Sequence, residues 1–342
     1  MSLPRSLRRG AFALAFLALA VDVSAQSREV NLYTTREPGL IQPLIESFTR
    51  STGIRVNSIF VQDGLPERVA AEGARSPADL LMAVDIGALV DLVDRGLTQP
   101  VRSPVLETAI PENLRASDGS WFALSLRARV VYAAKDLGLR SITYEQLADP
   151  QWQRRVCTRA GQHPYNTALI AAYIAHHGEA QAETWLRGFR SGLARAAAGG
   201  DRDGARDIAG GICDIAVANS YYVGLMRSGA GGPDQERWAA AIDVILPTFA
   251  DGGTHVNVSG ASVARYAPNR DAAVRFLEYL VSDEAQRIYA EANFEYPVKP
   301  GATVHPIIGA LGALRVDPLP LIDIARNRAA ASRMVDRVGF DR

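Results

Sequence analysis

Tyr221 and Tyr222 stand side by side directly after an apolar run, Gly211–Asn219, and a third tyrosine, Tyr165, lies in His163-Pro164-Tyr165-Asn166. A phenol has a pKa near 10, so it becomes an anionic oxygen donor only where something compels it to lose its proton. Judged alone, a Tyr-Tyr pair at a helix start is more often aromatic packing than a site. Arg36 and Arg127 carry guanidinium forks that stay charged at any relevant pH. Arginines of this kind also end in ordinary surface ion pairs. Arg129, two residues along the same extended run, shares the face of Arg127 by strand alternation and is a secondary candidate. The histidines form no metal motif: His176 and His177 are adjacent and lack the i, i+4 spacing that puts two ligands on one helix face. His163 is a secondary candidate for lining the region around Tyr165, and His255 reads as a hydrogen-bonding structural residue. No Gly-x-Ser-x-Gly elbow is present, and Ser259 has no base nearby in sequence, so the chain is not expected to be an enzyme.

The elements that must hold these residues alternate between strand and helix. Glu29–Tyr33, Ile54–Val61, Ala78–Val84, Arg155–Arg159, Gly211–Asn219 and Ala241–Pro247 read as strands. Leu40–Ser51, Val69–Gly73, Asp85–Arg95, Asn166–His177, Ala180–Gly188, Asn269–Val281 and Asp283–Ala292 read as helices. Such alternation predicts an α/β fold with a largely parallel sheet. Trp121–Ala134 is a β-like stretch long enough to run from one lobe into another, and Gly252–Ala264 returns in extended form. Ser220 is the expected N-cap of a helix over Tyr221–Arg227. Gly229–Pro233 reads as a surface loop.

The chain has 342 residues, 48% of them apolar, with 37 Lys+Arg against 37 Asp+Glu. That length suits two lobes with ample core. Zero net charge speaks against duplex nucleic acid or an anionic membrane as partner. Arg5, Arg8 and Arg9, the apolar run Ala11–Val21 and then Val23-Ser24-Ala25 follow the order of a secretory signal peptide cleaved near Ala25. Arg8-Arg9 leaves both the general and the twin-arginine export routes open. No later stretch approaches the roughly 20 apolar residues of a membrane helix. In an oxidising compartment Cys157 and Cys213 are expected to form one structural disulfide.

Ser141–Val156, Gly211–Gly224 and Gly253–Pro297 (with THVNVSG, APNRDAAVRFLEYLVSDEAQ and NFEYPV) together resemble the class II periplasmic substrate-binding proteins of bacterial ABC importers. The Ala-Asn-Ser-Tyr-Tyr and Tyr-Asn motifs narrow the resemblance to the ferric-iron-binding branch. It implies a two-lobed α/β fold with two crossing strands as hinge. Lobe 1 would take residues 26–126 plus 251–301, and lobe 2 residues 127–250 plus 302–342. The resemblance further implies capture of Fe3+ by Tyr165, Tyr221 and Tyr222, with a synergistic anion such as carbonate held by Arg36 and Arg127. A monomer in the periplasm would then deliver the ion to an inner-membrane ABC permease. Ferric ion is hard and favours anionic oxygen, and three phenolates would cancel its charge. The sequence departs from many relatives after Tyr33-Thr34-Thr35-Arg36, where a His or Tyr ligand is common. Glu37 and Pro38 stand there instead, and Glu37 is a secondary candidate ligand. The alternative within the superfamily is a binder of an oxyanion or small organic acid held by the arginines and helix N-termini.

Overall fold

The computed structural model describes residues 28–342, so the expected signal peptide and its cleavage near Ala25 lie outside the described residues. The strands are β1 (Glu29–Thr34), β2 (Arg55–Phe60), β3 (Leu80–Ala83), β4 (Thr98–Gln99), β5 (Phe122–Ala134), β6 (Val156–Cys157), β7 (Ile215–Asn219), β8 (Ile242–Ile245), β9 (Val256–Ala264) and β10 (Tyr296–Pro297). They run in the order β2-β1-β3-β9-β5-β7-β6, with β4 on β9 and with β8 and β10 on β5. β1 is parallel to β2 and β3, and β6 to β7, but every other pairing of these strands is antiparallel, so the sheet is mixed rather than largely parallel as the strand–helix alternation predicts. β9 and β5, which are buried along almost their whole length, pair antiparallel at the centre.

β5 is the element that joins the two lobes. Its first part, Phe122–Ala128, pairs with β9, whereas Arg129–Ala133 pairs with β7 and Val131–Ala134 with β8. The return path runs from the end of β8 to the start of β9, and there the Arg129 N–H donates to the His255 carbonyl at 2.9 Å. The two crossings therefore lie side by side, the hinge arrangement expected from the sequence. Helices pack on both sides. In the first half, Phe48 of the helix Pro38–Thr52 packs its ring 4.7 Å from Phe276. In the second, Trp185 stacks on Tyr173 at 4.1 Å and donates its indole N–H to the Tyr144 carbonyl. Cys157 and Cys213 form the expected disulfide, with 5.9 Å between their α-carbons, and tie β6 to the turn before β7. Closing a loop of 56 residues stabilises the fold by about 4 kcal/mol in the chain-entropy account.

Several local expectations change. Asn166–His177 and Ala180–Gly188 belong to one helical segment, Pro164–Ser191, broken at Gly178, whose φ of 78° no L side chain adopts comfortably. The strand expected from Gly211 begins only at Ile215, because Gly211 takes φ 72° and the Ile212 N–H turns back to the Asp207 carbonyl at 2.8 Å. The Tyr221–Arg227 helix is present, yet Ser220 does not cap it. The Ser220 hydroxyl instead accepts from the Ala128 N–H at 3.2 Å, and the Ser220 N–H donates to the Ala128 carbonyl at 3.0 Å. Helices Asp201–Ala209 and Pro233–Ala240 were not anticipated; both are short and mostly polar, with few apolar residues to mark a face.

Candidate functional site

The three tyrosines come from two strand-to-helix turns of the second lobe. Tyr165 sits in the first turn of the segment Pro164–Ser191, where Pro164 fixes the helical φ and the His163 ring accepts from the Tyr165 N–H at 3.2 Å. Tyr221 and Tyr222 open the helix that follows β7. Successive residues on a helix diverge by about 100°, but these two rings lie with centroids 4.1 Å apart. The hydroxyls of Tyr165 and Tyr221 approach to 3.5 Å although 56 residues separate them.

Both turns are held by Arg129. Its Nη1 donates to Asp201 at 2.9 Å and to the Asn219 side-chain oxygen at 3.0 Å, and its Nη2 donates to the Asn166 side chain at 2.5 Å. Asn166 follows Tyr165, and Asn219 precedes Tyr221 by two residues, so one guanidinium sets the spacing of the phenol-bearing turns. Asp201 also accepts the Asn219 N–H at 2.7 Å and faces Arg159 Nε at 3.2 Å. This is a buried, multiply bonded ion pair of the kind that fixes geometry.

The tyrosines share a cavity of about 460 Å3 with Arg36, Glu37, Arg127, Arg202 and Glu295. Arg127 crosses to the first half: its Nη2 donates to the carbonyls of Val84 and Val258, and its guanidinium lies 5.5 Å from the Tyr165 ring centroid. Arg36 is buried and forms a salt bridge with Glu295 at 2.9 Å. Burial, reinforced by the neighbouring Tyr165 and Tyr222, pushes the Tyr221 phenol well above its usual range, with Arg127 pulling the other way. Burial, and then Asp201, raises Tyr222. At neutral pH both phenols are therefore protonated until a strong cation replaces the proton.

The structure thus brings together Tyr165, Tyr221, Tyr222, Arg36, Arg127 and Glu37, the last exposed at the start of the helix Pro38–Thr52 without a side-chain cap bond. It sets two secondary candidates apart from the cavity lining. Arg129, two residues along the same continuous strand, does not line the cavity: its guanidinium is buried and taken up by Asp201, Asn219 and Asn166. His163 packs edge-on against Tyr165 at 4.6 Å rather than lining the cavity, and burial, then Arg159, pushes it down to about 4. His255 is buried and hydrogen-bonds through its backbone, its N–H donating to the Tyr144 hydroxyl at 3.1 Å and its carbonyl accepting from the Arg129 N–H, while its ring Nδ1 has no partner. Two wall residues escaped the sequence reading. Glu295 lay inside the Asn293–Val298 motif used only as a family marker, and Arg202 carried no sequence signal. Among the described residues no group of three or more His, Cys, Asp or Glu is placed to hold a metal ion.

Two α/β lobes on crossing strands, with a polar cavity walled by both, define a clamp-type binding protein. The chain belongs to the bacterial extracellular solute-binding protein family, whose pattern matches residues 75–308. It is 43% identical over 332 residues to iron uptake protein A2 of Synechocystis, covering 96% of this chain and 94% of that protein. Among solved structures it is similar to a Bordetella ferric binding protein, with 59% identity and a TM-score of 0.89 over 92% of this chain and 100% of that one. A Trichodesmium protein (IdiA, FutA) solved with iron and citrate ligands is 39% identical with a TM-score of 0.87, over 91% of this chain and 99% of that one.

Proposed function

We propose that this chain is a periplasmic ferric-ion carrier that takes Fe3+ with the phenolates of Tyr165, Tyr221 and Tyr222 and delivers it to an inner-membrane ABC permease. The carrying observation is the approach of the Tyr165 and Tyr221 hydroxyls to 3.5 Å at a wall shared with arginines, beside the Tyr222 ring. Ferric ion is the cargo whose charge and hardness three phenolates match. Its relatives' names, iron uptake and ferric binding, point the same way. All three phenols lie on the segment assigned to lobe 2 (residues 127–250 with 302–342), a half-site able to receive the ion before lobe 1 (26–126 with 251–301) closes. The chain works as a monomer and is not an enzyme.

A carbonate-like anion fits the donors that remain. The Nε atoms of Arg36 and Arg127 are buried without partners, donor capacity that costs about 1–3 kcal/mol each when left unused. Arg36 and Arg127 would hold the anion, which completes the ion's oxygen shell when bound. A bare oxyanion or organic acid as sole ligand would leave the phenol convergence without use.

The test is colour. Iron added to the protein gives a phenolate-to-iron charge-transfer band, and Tyr221→Phe or Tyr222→Phe bleaches it and weakens iron binding while circular dichroism stays native. Wild-type absorbance and affinity in both variants would remove the assignment.

A further inference from the structure

Glu295 stands in the cavity wall facing Arg36, and neither is left to solvent: Glu295 is 5% exposed and Arg36 1%. Among the described residues every hydrogen bond of the Arg36 guanidinium leaves from Nη2, to both Glu295 oxygens at 2.9 and 3.1 Å and to the Ser259 hydroxyl. The Ser125 hydroxyl donates to Glu295 from the other side, and the Tyr289 ring lies 5.3 Å from the Arg36 guanidinium carbon. The pair is thus fixed by β5, β9 and the helix Asp283–Asn293. Arg127, by contrast, has no carboxylate within ion-pair distance among the described residues; its donors go to backbone carbonyls. A carboxylate seated on a guanidinium uses the same chemistry as an oxyanion seated there.

Resting on the ferric reading above, we infer that Glu295 is a positioning residue that serves as the built-in counter-anion of Arg36 and so sets how strongly the cleft draws its accessory oxyanion. With Arg36 neutralised by the chain itself, the net pull on an external anion falls to the other wall arginines, Arg127 and Arg202. Glu295 also places a fixed negative charge on the wall that a trivalent cation faces. Removing that charge has two opposite effects. The anion is drawn by the Arg36 charge in addition to the other wall arginines, and the ion without an anion is held less well.

The experiment compares wild type, Glu295→Gln and Glu295→Asp, each titrated with bicarbonate after pulses of ferric chloride, with the charge-transfer band as readout. Glu295→Gln is expected to give less colour than wild type in bicarbonate-free buffer. It is also expected to reach half its maximal band at a bicarbonate concentration roughly tenfold lower, since a unit charge in a weakly screened wall is worth at least that factor. Glu295→Asp moves both readouts back toward wild type. General damage would weaken both, so a half-saturating concentration that is unchanged or higher overturns the inference. Should Glu295→Gln not fold, Ser125→Ala removes only the hydroxyl that orients the carboxylate and must lower the half-saturating concentration by a smaller factor; no movement overturns the inference equally. A wild-type protein that never colours with iron sinks the ferric reading instead, and the role of Glu295 falls with it.

Discussion

Arg127 and Arg129 are two residues apart on β5, and the structure gives them opposite work, which makes a sharp comparison. Arg129→Ala removes the hydrogen bonds to Asp201, Asn219 and Asn166 and leaves all three polar groups buried. Breaking a buried pair by deleting one partner costs about 3–5 kcal/mol. Asp201 keeps Arg159 at 3.2 Å and the Asn219 N–H at 2.7 Å, so the lower end, about 3 kcal/mol, applies. Arg127→Ala deletes a donor to two backbone carbonyls, Val84 and Val258, worth about 1–2 kcal/mol. Urea unfolding of the iron-free proteins, with unchanged denaturant slopes, should rank Arg129→Ala well below Arg127→Ala. Iron titrations of the still-folded proteins should show the other division: Arg127→Ala loses bicarbonate dependence, whereas Arg129→Ala loosens both tyrosine turns and weakens iron at every bicarbonate concentration. A loss under 1 kcal/mol for Arg129→Ala (about a third of the expected value), or the reverse stability order, refutes the view that Arg129 braces the two turns.

Two further outcomes follow from packing and charge. Burial pushes His255 down to about 4, so the unfolded chain binds its proton more readily between that value and about 6.5. The stability linked to it is complete above about pH 6.5 and is lost as pH falls toward 4, by up to about 1.4 kcal/mol per unit and about 3 kcal/mol in all. Urea midpoints for wild type and His255→Gln should therefore converge as the pH is lowered from 7 to 5; a constant gap contradicts the linkage. A Cβ at Gly224 would lie 2.2 Å from the ring of Phe294, against which the tyrosine-bearing helix packs. Gly224→Ala should cost about 1–3 kcal/mol by overpacking, and it should hasten iron loss to a chelator several-fold. Adding Phe294→Ala makes room and should restore retention; equal retention in Gly224→Ala alone refutes the contact's importance.

Local patterning made much of this legible. Strand–helix alternation, the long stretch Trp121–Ala134 and the contiguous Tyr221-Tyr222 turn all lie in single segments, where periodicity and motif carry the information. Tyr165 became readable only beside that pair, because a lone tyrosine at a helix start says little. Glu295 reaches Arg36 across 259 positions, and nothing in either segment announces the other. Alternation puts Arg129 on the strand face of Arg127, but the partners that take up its guanidinium, Asn166, Asp201 and Asn219, lie 37, 72 and 90 positions away, where no local pattern announces them. Ser220 had the residue type and position of a cap, but the crossing strand competed successfully for its hydroxyl.

That diversion has a mechanical result. Ser220 spends both its N–H and its hydroxyl on Ala128, the last residue of β5 to pair with β9, and the tyrosine couple begins at the next position along the chain. No slack segment lies between the pivot and the pair. Any rotation of the chain about Ala128 would therefore have to turn the start of the Tyr221–Arg227 helix with it, or break the two Ser220 bonds first.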